Sequence, residues 1–408
     1  MNILVMKFGG TSVADAEKIS RAADRAIAAR RRGLGVVVVV SAPGETTDEL
    51  LALARRVAPK PHERELDQLV STGEQISVSL FAMACIAKNC PAVSLTGPQA
   101  GILASGPHTR AQIKSIRTRK ILSELRAGRI VTVAGFQGLN TDNDVATLGR
   151  GGSDLTAVAL ASALKAGECE IYTDVKGIYT ADPRIVSQAR RIGRVTFEEM
   201  LEMAGAGAQV MQARSIEVAQ RYGVAIHVRS AFHAQKGTWI IRKENHMLEK
   251  ASVSSLALDK GEVRLSLLDV PDKPGVAATV FSALAAKDIP VDMIIQSAPS
   301  QAGVNTVSLM TPRSFAARAQ DALAPTARRL KARIEVNDQV AKISAIGTGF
   351  RHHAWVAATM FSALAKSRIN IHMITASDLR ISCVVDAKRS ETALRALHKA
   401  FGLGKKRR

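Results

Sequence analysis

The chain has 408 residues, 47% of them apolar, and carries 56 Lys and Arg against 36 Asp and Glu for a formal charge of +20. That length and apolar content supply core for two or three domains, so a folded chain rather than a fragment or a disordered tail is expected. Four cysteines (Cys85, Cys90, Cys169, Cys383) without CxxC spacing or nearby histidine pairs argue against a disulfide framework and a zinc site.

A strand over 3–8 begins at once, with no basic leader before it and no small-residue cleavage site, and no apolar run approaches the roughly 18 residues of a membrane span. A cytoplasmic protein without membrane contact is therefore expected. Further apolar runs predict strands over 36–42, 92–96, 130–136, 170–175 and 225–232. Helical patterns fall between them over 14–32, 64–88, 154–166 and 207–222. Unbroken valines at 36–40 suit a strand buried on both faces, so residues 1–245 read as an α/β layer domain with a largely parallel sheet. The polar stretch 242–260 reads as a linker.

Beyond it the sequence repeats. VAATVFSALAAKDIPVDMI (276–294) and VAATMFSALAKSRINIHMI (356–374) share 12 of 19 residues at an offset of 80. Each copy follows a strand (262–269, 340–347) and precedes a strand pair and a helix, predicting two βαββαβ, ferredoxin-like units over 261–336 and 340–403. A groove between them would suit a small ligand, although a purely structural duplication gives the same pattern. Charge is densest here: residues 1–250 hold 33 basic and 24 acidic side chains, residues 251–408 hold 23 and 12. Such a field attracts anions. With only three Tyr, two Trp and ten Phe, stacking platforms are scarce and nucleic acid is not an expected partner. The basic run 405–408 reads as a solvated tail.

Four segments carry chemistry. Strand 3–8 ends in Lys7-Phe8-Gly9-Gly10-Thr11-Ser12, where glycines, a cation and a helix start form either a plain turn or a phosphate-binding one. Thr147-Leu148-Gly149-Arg150-Gly151-Gly152-Ser153-Asp154 adds anion-binding amides, a planar fork for a carboxylate, and a carboxylate able to orient a lysine or a metal ion. Residues 172–184 place Thr173 and Asp174 at a strand's carboxyl end, where open α/β sheets bind ligands. Glu74, after Ser71-Thr72-Gly73, stands at a helix start, either as a capping residue or as a partner for an ammonium group. Neither a GxxxxGK[ST] loop nor a complete dinucleotide fingerprint occurs.

In this order and spacing, KFGGTSVAD, VVVVSA, STGEQIS, GFQG, TLGRGGSD, EIYTDVKGIYTADPRI, FEEMLEMAGAGAQVMQARS and HVRSAF closely resemble the aspartate kinases. The repeated units resemble their tandem ACT domains, and the resemblance covers nearly the whole chain. It implies an amino-acid-kinase fold, ATP with Mg²⁺, and phosphoryl transfer to the β-carboxylate of L-aspartate, the step that opens lysine, threonine and methionine synthesis. By the resemblance Lys7, Phe8, Gly9, Gly10 and Ser41 meet the ATP phosphates. Thr173, Asp174, Tyr179, Asp182, Pro183, Arg184 and Val210 hold the rest of the nucleotide. Thr47, Glu74, Arg150, Gly151, Gly152 and Ser153 hold aspartate, and Asp154 organises the catalytic centre with Lys7 and Arg150. No protein metal cage is implied. A lysine or threonine effector would meet Asp272, Pro274, Gly275, Val276, Ala277, Asp292 and Gln296 in the first unit. In the second it would meet Val356, Ala357, Asn370, Ile371 and Ser377. A homo-oligomer joined through the ACT units is implied, and Met247 stands where some relatives restart translation.

Several positions depart from the family pattern: Ala146 and Leu155 around the glycine turn, Lys176 after Asp174, and Pro290 before Val291-Asp292. In the second unit His353-Ala354-Trp355 replaces Pro-Gly before the helix, which makes weak or single-effector feedback the expectation. Two other functions stay in view: a carboxylate kinase acting on an acidic carrier protein, and a catalytically silent amino-acid-binding regulator. Intact Lys7, Glu74, Arg150 and Asp154 count against the latter.

Overall fold

A computed structural model describes residues 1–208, 210–242, 252–300 and 303–405. The chain forms two compact units that do not follow it in one piece. The first holds residues 1–178, 191–204 and the chain from 210 to 242; the second holds 179–190, 205–208 and the chain from 252 onward.

Elements in the first part of the chain are β1 (Ile3–Phe8), α1 (Ala16–Arg31), β2 (Gly35–Val40), α2 (Thr46–Val57), α3 (Glu63–Val70), α4 (Thr72–Ala87), β3 (Ala92–Leu95), β4 (Ile102–Ser105), β5 (Gln112–Ile116), α5 (Arg119–Arg126), β6 (Ile130–Ala134), β7 (Gln137–Leu139), β8 (Val145–Thr147), α6 (Gly152–Ala163), β9 (Glu168–Thr173), β10 (Arg194–Thr196), α7 (Phe197–Gly205), α8 (Ala213–Tyr222), β11 (Ala225–Ser230) and β12 (Thr238–Ile241). The main sheet runs β10-β12-β11-β9-β1-β2-β6-β3, parallel from β11 through β3. All six residues of β2 are buried, as its valine run requires in a strand covered on both faces. Consecutive strands β1 and β2 lie side by side while β9 takes the other flank of β1, so the carboxyl end of β1 is a point where ligands bind in such sheets. A smaller sheet, β5-β4-β7-β8, delivers the chain to the turn before α6.

The helix expected over 64–88 is two helices. Ser71 and Thr72 hydroxyls donate to the Gln68 and Leu69 carbonyls at 2.9 and 2.7 Å, side chains competing with the helical ladder where α3 ends. Together the pair spans Glu63–Ala87, 25 residues long and apolar enough to cross a membrane by length and composition, contrary to the expectation that no run comes close. Half of its apolar 18-residue window is buried inside the fold, Val78, Phe81 and Cys85 lying in the core with α1 and β6.

The second part of the chain gives β13 (Ser252–Asp259), β14 (Glu262–Pro271), α9 (Val276–Ala285), β15 (Asp292–Gln296), β16 (Val304–Pro312), α10 (Ala316–Leu330), β17 (Arg333–Asn337), β18 (Val340–Thr348), α11 (Trp355–Lys366), β19 (Met373–Ala376), β20 (Arg380–Asp386) and α12 (Ser390–Ala400). Elements β14 to β17 with their helices make the first βαββαβ unit, sheet order β15-β16-β14-β17. Among the described residues the second copy has no strand after its last helix, and it is completed instead by β13, in the order β13-β18-β20-β19. Residues 252–259 are therefore not linker. An antiparallel sheet gains an edge partner from any chain segment that presents the right register, and this one comes from upstream of the first copy. Met247 and the end of the basic tail lie outside the described residues.

Residues 179–190 also join this unit. Thr180 accepts a hydrogen bond from the Leu256 amide at 2.8 Å, its hydroxyl lies 3.0 Å from His398 Nε2, and Ala181 and Val186 pack with Leu394 and Leu397. All four cysteines are buried and free.

Candidate active site

Strand alternation sends Lys7 and Phe8 to opposite faces of the sheet. Phe8 is fully buried, stacked on Tyr172 with ring centroids 4.7 Å apart, so only its backbone is available to a nucleotide. Its carbonyl is already bonded to the Ser41 amide at 3.1 Å. Lys7 Nζ lies 2.7 Å from Asp154 Oδ1, the two side chains 12% and 11% exposed, a nearly desolvated ion pair at the mouth of the turn. Gly9 donates to the Tyr172 carbonyl at 3.2 Å. A Cβ on Gly10 would lie 2.7 Å from the Ala42 carbonyl oxygen and 2.9 Å from that of Gly44, so loop 41–44 closes on Gly10 only because no side chain is there.

The break between α3 and α4 positions a buried carboxylate. It brings Gly73 against Ala42, where a Cβ would be 2.7 Å from the Ala42 methyl, and sets Glu74 in the first turn of α4. Glu74 is 3% exposed; Oε1 accepts from the Ala42 amide at 3.1 Å and Oε2 has no hydrogen-bond partner. Burial pushes its pKa up from 4.5 to about 7, with the Ala42 N–H pulling the other way. A buried carboxylate with a free oxygen is a ready receptor for an ammonium group. Thr47, partly buried on α2, follows the same loop.

On the other side, Gly149 and Gly151 take φ of 75° and 74°. A Cβ on Gly151 would fall 1.9 Å from Gln212 Cγ, so this turn tolerates neither a side chain nor its backbone preference. Gly152, Ser153 and Asp154 open α6, a 12-residue helix whose first amides are free of intrahelical partners. Arg150 projects into solvent between the glycines; among the described residues no carboxylate pairs with it. One turn thus offers a free guanidinium fork, helix-start amides and the Lys7 partner Asp154, an arrangement for two anions side by side.

The remaining expected residues are placed as follows. Thr173 and Asp174 end β9, bonded to each other at 3.0 Å, and Val210 is partly buried in the same unit. Tyr179, Asp182, Pro183 and Arg184 belong to the second unit, where Arg184 pairs with Asp182 at 2.8 Å. Asp272, Pro274, Gly275, Val276, Ala277 and Gln296 line one cavity of about 230 Å³ at the start of α9. Asp292 is not among its lining residues: its carboxylate lies 2.5 Å from Lys342 Nζ, and although burial raises its pKa, that bond and charge hold it below the usual carboxylate value. In the second copy Val356 is fully buried in the core, Ala357 and Ile371 pack against it, and Asn370 and Ser377 are exposed. There Ala354, with φ −55°, precedes the helix where Gly275 takes φ 88°, and Trp355 turns outward, 47% exposed.

Sequence reasoning passed over several residues. Arg214 binds the Leu148 and Ala111 carbonyls at 2.7 and 3.2 Å and so ties α8 to the glycine turn. Asp67, fully buried on α3, bonds to His108, Thr109 and Thr147. Asn305, 5% exposed, lines the α9 cavity with its Nδ2 on Asp272 and its Oδ1 unbonded. Lys342, wholly buried, draws Asp259, Glu262 and Asp292 together. Each sits in an unremarkable local pattern, and only contacts distant in sequence reveal it.

The chain matches the model of the amino acid kinase family over residues 2–230 and that of the ACT domain over 268–325 and 343–401. It is 46% identical to the aspartate kinase of Pseudomonas putida across 99% of this chain and 98% of that one. It also superposes on E. coli aspartokinase III in complex with aspartate and ADP, with a TM-score of 0.84, 28% identity, and 98% of this chain and 99% of that chain covered. The same enzyme in complex with lysine and aspartate gives 0.76 at 28% identity over 98% and 99%. The chain belongs to the amino acid kinase family and, within it, to the aspartate kinases.

Proposed function

We propose that the chain transfers the γ-phosphoryl group of ATP to the β-carboxylate of free L-aspartate, giving 4-phospho-L-aspartate and ADP. The observation that carries this is the role of Ala42: its carbonyl closes on Gly10 of the phosphate turn while its amide holds Glu74, tying a phosphate cradle to an ammonium receptor. In this reading Lys7 and the turn at Gly9 and Gly10 bind phosphate oxygens. Glu74 takes the α-ammonium group, with Thr47 near it. Arg150 grips a carboxylate through its planar fork, and the amides of Gly151 and Ser153 face developing negative charge, that of Gly152 being bonded to the Gly149 carbonyl.

A carboxylate is already ionised at neutral pH, so the attacking oxygen needs no general base. It forms a bond to the γ-phosphorus as the bond to the β-phosphate oxygen breaks, and the electron pair leaves with ADP. What the protein supplies is alignment of two anions. Asp154 orients Lys7, since it is the carboxylate paired with that ammonium group. Among the described residues no three His, Cys, Asp or Glu side chains gather around a metal position. Mg²⁺ would thus be held chiefly by nucleotide phosphates with Asp154 nearby, neutralising charge on the transferring group.

The α9 cavity supports an amino-acid effector: Asp272 suits an ammonium group, Lys273 and the amides of α9 a carboxylate. Strands β15, β17, β13 and β19 are sheet edges in this chain, with Ile294 and Ile374 exposed on two of them, which supports self-association through the ACT units. Four free cysteines support a reducing, cytoplasmic setting. The test is ATP-dependent hydroxamate formation with L-aspartate and hydroxylamine. No product with free aspartate, or equal product with succinate, which lacks the ammonium group, would remove the reading.

A further inference from the structure

Besides Arg214 on the Leu148 carbonyl, the turn that carries Arg150 is held where it is rooted. One root is Thr147, the last residue of β8. Asp67, 0% exposed on α3, accepts hydrogen bonds from the Thr147 amide at 3.0 Å and the Thr147 hydroxyl at 2.5 Å. The same carboxylate takes the Thr109 amide at 2.9 Å and lies 2.8 Å from His108 Nδ1. Thr109 is held at φ 65°, and its carbonyl oxygen would be 3.1 Å from a Cβ on Gly149. Residues 107–109 and the glycine turn therefore abut, and one buried carboxylate clamps both. A carboxylate is the side chain for this task, since all four partners can present a hydrogen and it presents only acceptors.

We propose that Asp67 is a positioning residue for aspartate binding: from α3 it fixes where β8 ends and so where Arg150 meets the substrate carboxylate. This rests on the reading of Arg150 given above. Thr147 itself bonds to Asp67 and not to Gly9, Gly10 or Glu74, so loss of the clamp falls first on the substrate that Arg150 holds. In Asp67→Asn an amide NH₂ replaces one acceptor oxygen and confronts hydrogen-bond donors. The expected result is a rise of about tenfold or more in KM for aspartate with KM for ATP within about twofold. Thr147→Val removes one of the four bonds and keeps the backbone one; a rise of about threefold is expected, and Thr147→Ser should restore the wild-type value.

Steady-state kinetics on the full chain, with Arg150→Ala alongside, decides the matter. If Arg150→Ala leaves KM for aspartate unchanged, the reading of Arg150 is wrong and this proposal falls with it. If Arg150→Ala raises that KM while Asp67→Asn leaves it unchanged, or raises both KM values equally, the positioning role alone is overturned. Should Asp67→Asn fail to fold, the Thr147 pair decides: Val equal to Ser overturns the proposal, and Val impaired with Ser restored supports it.

Discussion

Replacing Glu74 by Gln should stabilise the free protein at alkaline pH while weakening its hold on aspartate. Burial lifts the Glu74 pKa from 4.5 to about 7 in the folded state. Between those values the folded chain keeps a proton that the unfolded chain has released, so stability falls as pH rises through this window and is flat above it. By linkage, the ionised buried group costs roughly 3 kcal/mol at pH 8 and under about 1 kcal/mol at pH 5. Gln keeps the acceptor for the Ala42 amide and does not titrate. Its NH₂ inherits the unpartnered position of Oε2, a penalty of roughly 1–3 kcal/mol that is the same at every pH. The stability difference between wild type and Glu74→Gln should thus swing by roughly 2–3 kcal/mol in favour of Gln from pH 5 to pH 8, read as urea-unfolding midpoints without ligand. A bound ammonium group compensates the ionised carboxylate, so aspartate affinity in the wild type should drop up to about tenfold per pH unit below 7, and Gln should be insensitive there. Parallel unfolding differences at the two pH values would refute this account of the site.

Gly151→Ala should lower kcat/KM for aspartate by at least about tenfold, because a left-handed φ costs a side chain roughly 1–2 kcal/mol and the new methyl meets Gln212; adding Gln212→Ala should recover only part of the loss. Lys342→Met strips the cation from Asp259, Glu262 and Asp292 and should destabilise the second unit by roughly 3–5 kcal/mol, visible as a lower urea midpoint; an unchanged midpoint would mean the carboxylates find another partner. Titrating lysine and threonine separately and together at low aspartate should give weak or single-effector inhibition, abolished by Asp272→Ala; strong concerted inhibition at sub-millimolar concentrations of both would show that the second copy, with Ala354 and Trp355 in place of its turn, still binds.

Much of this was readable along the chain because the signals are local. Apolar runs located β1, β2 and β6, since a strand buried on both faces is nearly continuous in apolar residues, and β9 and β11, though each carries polar residues, through their short apolar cores. Lys7, Gly10, Arg150 and Gly151 stood out because glycines beside a cation at a helix start can bind an anion as well as simply turn the chain, and the order of the surrounding motifs favoured the former. The internal repeat announced two similar units through identity alone. The sequence could not assign β13 to the second copy, because edge pairing depends on which strand is left free after folding, not on composition. The break at Ser71 was legible only in part: Ser71-Thr72-Gly73 marks a helix start at Glu74 while the helical pattern runs on over 64–88, and it is the two hydroxyls on the Gln68 and Leu69 carbonyls that decide between the two. The environments of Glu74, Asp67 and Lys342 belong to the tertiary structure alone: a carboxylate's pKa and an ammonium group's partners are set by desolvation and by groups 32, 80 or 50 residues away, brought together only when the core closes.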